Sequence, residues 1–286
     1  MFTRGKSVRN IERAVAEHYG DAELLGRILE GLEASGANID RLQPDDLAPV
    51  EEFHIGGRKA TAHALSKLAL SKESHVLDVG CGIGGAVRYL AENIGCRVSG
   101  IDLTPEYIDV ARMLTDRTDL SDKVSFKVAS ALAIPFKREI FDAAITLHAA
   151  MNIADRTTLY SEIARVMKPD ATLCIYDVMR KSGEDLTFPV PWAQTPETSH
   201  LVTPEDMRTL LERAGFEVRE VEDRTDFALD FFAQSLGAAS DGPPPLGIHI
   251  VMGATAREKF RNTLSNIERG RIAPVQMIAR RNATLA

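Results

Sequence analysis

The sequence is poor in cysteine. Its three, Cys81, Cys96 and Cys174, are scattered through 286 residues and include no CxxC pair, which excludes a disulfide framework. Positive charge is in deficit, with 34 Lys plus Arg against 41 Asp plus Glu and a net charge of -7. That balance excludes a protein working by broad phosphate neutralisation, so no nucleic-acid partner is expected. No apolar run approaches a membrane span, so no stable membrane insertion is expected. The opening residues MFTRGKSVRN carry positive charge with no apolar stretch behind them; no signal peptide is read there, and a cytoplasmic location is expected. The seven histidines have no metal-ligand spacing, so no metal is expected. No internal repeat is visible. What is present, 44% hydrophobic and 26% charged residues, is ordinary for a globular protein handling small molecules, as a monomer or homodimer.

The first seventy residues read as helical. Val8, Ile11, Val15 and Tyr19 recur at helical spacing, then Leu24, Leu25, Ile28, Leu29 and Leu32. Pro44 and Pro49 mark a loop, and Ala62, Leu65, Leu68 and Ala69 a third helix over 58–70. From residue 75 the pattern changes to strand alternating with helix. Strands are expected at 75–79, 97–102, 123–128, 141–147, 171–178, 216–224 and 274–281, with helices at 84–94, 105–118, 155–167 and 204–214. Thr104-Pro105 and Thr203-Pro204 are helix starts, a hydroxyl cap followed by proline at the first helical position. Such alternation predicts an α/β fold with parallel strands and right-handed crossovers. Residues 1–56 form a helical N-terminal cover, and 57–286 form the main domain. Insertions at 179–203 and 226–273 are rich in Pro and aromatics; they read as loop decoration, substrate cover or a subunit contact.

The most informative stretch is Asp78-Val79-Gly80-Cys81-Gly82-Ile83-Gly84-Gly85, running from a strand into a helix. Glycines allow a tight turn and close ligand approach, and the helix N-terminus offers unpaired N–H groups. Asp102 follows 22 residues after Gly80, at the end of the next strand, where an acidic side chain can hold both ribose hydroxyls. Gly80, Gly82 and Gly85 satisfy the dinucleotide spacing GxGxxG. Gly80, Gly82 and Gly84 satisfy GxGxG, the form of S-adenosylmethionine (SAM) sites. Glycine spacing leaves both open. Asp78 favours the second: a carboxylate there can reach a cationic amino group, whereas it would repel a pyrophosphate.

Asp78-Val79-Gly80-Cys81-Gly82-Ile83-Gly84 resembles motif I of class I SAM-dependent methyltransferases. Gly100-Ile101-Asp102-Leu103-Thr104, Ala131–Phe136, Phe141-Asp142-Ala143-Ala144-Ile145 and Arg165-Val166-Met167-Lys168-Pro169 resemble later motifs in the family's order. The resemblance covers about residues 54–225. It is nearest the small-molecule, methyltransferase type 11-like branch with the ubiquinone, menaquinone, sarcosine, sterol and tocopherol enzymes. It implies a Rossmann-like sheet of order 3-2-1-4-5-7-6 with the last strand antiparallel. It also implies SAM as cofactor, with Gly80, Cys81, Gly82 and Gly84 along its methionine part, Asp102 on the ribose and Leu103 against adenine. Two departures stand out. The family's Gly-Asp-Ala near the adenine amino group reads Ala129-Ser130-Ala131 here, leaving Ser130 an uncharged partner beside Ala131. The Pro-Gly-Gly turn reads Pro169-Asp170-Ala171, and Asp tolerates a left-handed conformation where Ala does not.

Methyl transfer from a sulfonium needs alignment, and a base only where the acceptor must lose a proton. His148, on the loop after strand four, could be that base beside the cofactor, or a strand-end histidine with a backbone hydrogen bond. Asn152 could orient a substrate or cap the next helix. Asp177, at the end of strand five, could lie near the acceptor or cap a loop. In the resembled branch, residues placed like Tyr19, Phe53 and His54 pack over the methyl donor; Tyr19 and Phe53 could equally be core aromatics. Trp192 could wall an acceptor pocket. The cysteines read as packing residues. The function expected is methyl transfer from SAM to a small organic acceptor. The competing readings are an NAD(P)-dependent oxidoreductase and a non-catalytic SAM-fold module.

Overall fold

The computed structural model describes residues 12–16, 23–238 and 242–283. Seven strands form one sheet: β1 (His75–Val79), β2 (Arg97–Asp102), β3 (Val124–Val128), β4 (Phe141–Leu147), β5 (Met167–Arg180), β6 (Phe216–Asp223) and β7 (Ile272–Arg281). Their order is β3-β2-β1-β4-β5-β7-β6, as the family resemblance implies. The first five strands are parallel, and β7 runs antiparallel to both β5 and β6. β1 sits between β2 and β4, pairing Val76 with Val98 on one side and with Ala143 on the other. Its near-continuous apolar sequence follows from helices covering both faces.

The helices are α1 (Leu24–Ala34), α2 (Pro44–Glu51), α3 (Gly57–Ser66), α4 (Gly85–Asn93), α5 (Pro105–Thr115), α6 (Arg156–Val166), α7 (Pro204–Arg213), α8 (Thr225–Ala238), α9 (His249–Met252) and α10 (Ala256–Glu268). α6 and α7 bury Leu159, Ile163, Met207 and Leu211 against one face of the sheet. α3, α4 and α5 bury Leu65, Val87, Leu90 and Ile108 against the other. α1 and α2 form an outer layer, Ile28, Leu32 and Leu47 meeting Ile83, Tyr107 and Leu114.

Four expectations change. The expected Pro44–Pro49 loop is helix α2. Pro44 occupies its first position, where a missing N–H costs nothing, and Gln43 and Asp46 form a reciprocal cap. Thr104 does not cap α5 with its hydroxyl; its backbone N–H is instead held by Asp102 Oδ1 at 2.9 Å. Thr203 does cap α7, reciprocally with Asp206. The 226–273 insertion is folded as α8, α9 and α10. With Ile55, Met151 and Trp192, α8 and α10 build a separate apolar cluster through Phe232 and Ile267. β5 is longer than expected because β7 pairs with it from Thr172 to Arg180. A register shift against β4 absorbs Pro169-Asp170, and Asp170 takes the left-handed conformation at φ 65°.

The outer layer is tied down by charge as well as by apolar contact. Arg88 on α4 is fully buried and pairs with Glu51 at the end of α2. The same guanidinium donates to Ile83 O at 2.6 Å, Thr115 Oγ1 at 2.9 Å and Ala111 O at 3.3 Å. Removing one partner of such a pair strands a buried charge. Arg88→Met is therefore expected to lower the unfolding free energy by about 3–5 kcal/mol in urea denaturation. A loss below about 1 kcal/mol, the range of a surface pair, would contradict this anchoring role.

Candidate active site

The main cavity, with about 1360 Å³ of empty space, opens at the carboxyl ends of β1, β2 and β4. This is the crevice where strand order reverses about β1, the usual ligand position in open α/β sheets. Asp78, Gly80, Cys81, Gly82, Asp102, Leu103, Ser130, Ala131 and His148 all line it. Gly84 does not. It caps α4 at φ 92°, and a Cβ there would meet Phe126 Cζ at 2.9 Å, so its role is packing. Gly82, at φ 52°, has no atom within 4 Å of where a Cβ would stand and leaves the loop backbone open to a ligand.

Asp102 organises the loop. Its Oδ2 accepts from Gly82 N at 2.9 Å while Oδ1 holds Thr104 N. Burial raises the Asp102 carboxyl above its ordinary value, against the pull of these N–H groups. Asp78 is pushed up to about 8, first by burial, then by the neighbouring Asp102 and Glu52 carboxylates. The Cys81 thiol is also raised well above its usual range by burial, which leaves it an un-ionised packing residue.

Sequence reasoning missed Glu12. Its carboxylate accepts a short hydrogen bond from Ser130 Oγ, and Ser130 Oγ in turn accepts from Leu132 N at 3.0 Å. The segment lacking its own acidic residue thus has one beside it, delivered from 118 positions away. Glu51 and Glu52, also missed, line the same cavity. The described lining carries six carboxylates, Glu12, Glu51, Glu52, Asp78, Asp102 and Asp155, and no Lys or Arg. A pyrophosphate would enter this field unfavourably, whereas a ligand with ammonium and sulfonium charges would be attracted. Glu51 and Glu52 are answered by Arg88 and Arg58, so it is Asp78 and Asp102, without an ion pair among the described residues, that favour the cationic ligand.

A second cavity, with about 520 Å³ of empty space, adjoins the first. Glu52, Phe53, His54 and His148 line both and form the wall between them. His148 holds a left-handed backbone at φ 51°, and its N–H donates to Tyr176 O at 2.7 Å. The residue is half-buried, and its Nε2 is buried with no hydrogen-bond partner. Burial, reinforced by His54, keeps the His148 imidazole well below its ordinary pKa and hence neutral. Burial likewise brings His54 down to about 4. His54 Nε2 lies 2.9 Å from Thr61 Oγ1, which donates to Glu52 Oε2 at 2.6 Å. Trp192 lines the second cavity, its indole N–H donating to Ser199 Oγ at 2.9 Å.

Two candidate residues are elsewhere engaged. Asp177 lines neither cavity. It is buried 3.6 Å from Arg156 and raised to about 6 by burial, in the interior of a strand that continues to Arg180. Asn152 borders the main cavity, but its amide donates to Trp192 O at 2.7 Å and Thr198 O at 2.9 Å, fastening the 179–203 insertion. It does not cap α6; Asp155 does, accepting from Thr158 N. Tyr19 lies outside the described residues.

A family model described as a methyltransferase domain matches residues 77–175. The O-methyltransferase resE of Aspergillus sclerotiorum is 30% identical over 190 residues, covering 64% of this chain and 69% of that protein. The chain belongs to the class I methyltransferases. It spans about two thirds of the length of the first curated relatives it matches, 65–66%. The phosphoethanolamine N-methyltransferase 2 of Haemonchus contortus, solved with SAM, has the same fold at TM-score 0.68 and 19% identity, over 84% of this chain and 57% of that one. So has the [4+2]-cyclase SpnF, at TM-score 0.65 and 20% identity, over 92% and 94% of the two chains. Class I methyltransferases use SAM, and this cavity fits it: carboxyls without a Lys or Arg in the described lining, a loop open at Gly82, and Asp102 at the end of β2. No described helix is long and apolar enough to cross a membrane.

Two measurements test the site. Asp102→Ala removes both the loop's internal acceptor and the ligand's, and is expected to weaken S-adenosylhomocysteine by about 1.5–3 kcal/mol by calorimetry. Unchanged affinity in the folded variant would remove Asp102 from the site. Asp78, with a pKa of about 8 in the free protein, is mostly protonated at pH 7. An ammonium brought against it lowers that pKa, so binding expels a proton and tightens as pH rises toward 8. Calorimetry of SAM binding in buffers of different ionisation enthalpy should register proton release at pH 7; none would contradict the pairing.

Proposed function

We propose that this protein transfers a methyl group from SAM to a small organic acceptor, leaving S-adenosylhomocysteine. The observation that carries this reading is the shared wall: Phe53, His54 and His148 border both the cofactor cavity and a second, smaller one. Bound SAM supplies a methyl already activated by positive sulfur. The residues of the chain then have to align and enclose. Asp78 holds the amino group, Asp102 the ribose, and Leu103, Ala131 and Ser130 with Glu12 surround the base. The segment up to residue 56 acts as the cover, with Glu52-Phe53-His54 excluding water from the transfer line. Such positioning is worth roughly 7–11 kcal/mol.

His148 takes the acceptor's proton. A neutral imidazole always keeps one nitrogen lone pair, and the depressed pKa keeps His148 in that form throughout the neutral range. Oxygen as the methylated atom is supported by relatives named O-methyltransferases. The cyclase among the fold neighbours means that ligand binding alone does not establish transfer.

The direct test is incubation with methyl-labelled SAM and a pool of organic metabolites. Label in an extractable product with matching S-adenosylhomocysteine is expected; cofactor binding without any turnover would contradict the reading. For His148 the suitable variant is Asn, which tolerates the left-handed backbone. His148→Asn should lower kcat by about 10²–10⁴-fold with S-adenosylhomocysteine affinity unchanged. The base-limited acid limb of the wild-type pH profile should lie below 6.5, the ordinary histidine value. Normal turnover by the variant would return His148 to a structural role.

A further inference from the structure

The second cavity has a composition that selects among acceptors. Five rings, Phe53, Trp192, Phe231, Phe232 and Phe260, face it. Phe232 packs edge-on against Phe260 at 5.5 Å and against Phe231 at 5.4 Å, so the α8–α10 side of the wall is an aromatic cluster. Among the described residues lining it, the ionisable ones are Glu52, His54 and His148, all at the end shared with the cofactor cavity. Glu52 is already committed: Arg58 Nε lies 2.8 Å from its Oε1, and Thr61 donates to its Oε2. His54 is engaged with Thr61. His148 Nε2 alone of the two imidazoles' Nε2 atoms is buried without a partner.

These facts bear on charge. No described Lys or Arg lines this cavity, so an acceptor phosphate or carboxylate would be desolvated there without a counter-cation. A cationic acceptor would find aromatic faces, but Glu52 is neutralised by Arg58 and the adjoining cavity is to hold a sulfonium. An uncharged molecule meets neither penalty.

Resting on the methyl-transfer reading above, we infer that the acceptor is an uncharged, largely aromatic hydroxyl compound, seated against Trp192 and the three phenylalanines of α8 and α10 with its one reactive hydroxyl at the His148 end. Phosphorylated and ammonium-bearing acceptors are excluded. The hydroxyl proton passes to the His148 ring nitrogen; the oxygen lone pair forms the new C–O bond as the C–S bond breaks, its electron pair staying on sulfur as a neutral thioether. The products are a methyl ether, S-adenosylhomocysteine and an imidazolium that returns its proton to water.

Trp192 makes this testable without turnover, because it is the sole tryptophan of the chain and lines the cavity. The full chain, saturated with S-adenosylhomocysteine, is titrated with three matched probes while Trp192 emission is followed: 4-phenylphenol, its phosphate monoester and 4-phenylbenzylammonium. The phenol should give a saturable change, and each charged probe should bind at least about 10-fold more weakly, or 1.4 kcal/mol. Equal or tighter binding of either charged probe overturns the acceptor class. No response to any probe overturns the assignment of this cavity as the acceptor site. Phe231→Arg, at a half-buried wall position, should reverse the order of phenol and phosphate while S-adenosylhomocysteine binding is retained. An unreversed order in that folded variant counts against the cavity. Phenol binding without label transfer from SAM would leave the acceptor class standing and overturn methyl transfer instead, so the two failures are distinct.

Discussion

The buried pair between Glu51 and Arg88 is the contact on which the site's architecture depends. Arg88 grips the loop carbonyl of Ile83 and two groups on α5, then reaches Glu51 at the end of α2. Gly85 lies directly beneath, where a Cβ would meet the Glu51 backbone oxygen at 2.9 Å. Glycine loop and outer layer are thereby brought into register. The three residues after Glu51 are Glu52, Phe53 and His54, which line both cavities. A charged pair with no exposed atoms is a poor source of net stability compared with apolar packing. Here its directional hydrogen bonds fix where the next three residues lie.

Charge organises the rest. The cofactor cavity gathers carboxylates from α2, β1, β2 and the N-terminal segment, and burial raises Asp78 and Asp102, neither of which has an ion pair among the described residues. That arrangement is unfavourable when empty and is relieved by a cationic ligand, so part of the protein's electrostatic strain is converted into ligand selectivity. Across the wall the environment changes to aromatic and nearly neutral. Two adjoining cavities of opposite character, separated by two neutral imidazoles, suit a reaction in which a cationic donor meets an uncharged acceptor.

The sheet was legible in the sequence because its signals are local. Alternating apolar strands and helix starts such as Thr203-Pro204 lie within a few residues of the elements they specify, and most strand ends agree within one or two positions. The glycine loop was legible for the same reason. Where the reading failed, the deciding contact was distant. Asp177 read as a strand end, yet β7, nearly a hundred residues later, extends β5 past it. Asn152 read as a cap or substrate ligand, but its partners are two carbonyls of an insertion. Glu12 carried no motif, and its value comes from Ser130 on the far side of the cavity. Pro44 and Pro49 read as breakers, and only the position of Pro44 at a helix start reverses that meaning. Within the 226–273 segment, the buried face of α10 carries Lys259, Thr263 and Asn266, so its helical period does not show as an apolar one.

The central claim is that the wall of Phe53, His54 and His148 is where donor and acceptor meet. A crystal structure with S-adenosylhomocysteine and a hydroxylated aromatic bound together tests it most directly. The expected result has the thioether sulfur at this wall, pointing into the second cavity, with the acceptor oxygen beside His148. A sulfur atom directed away from that cavity, or an acceptor seated elsewhere, would contradict it.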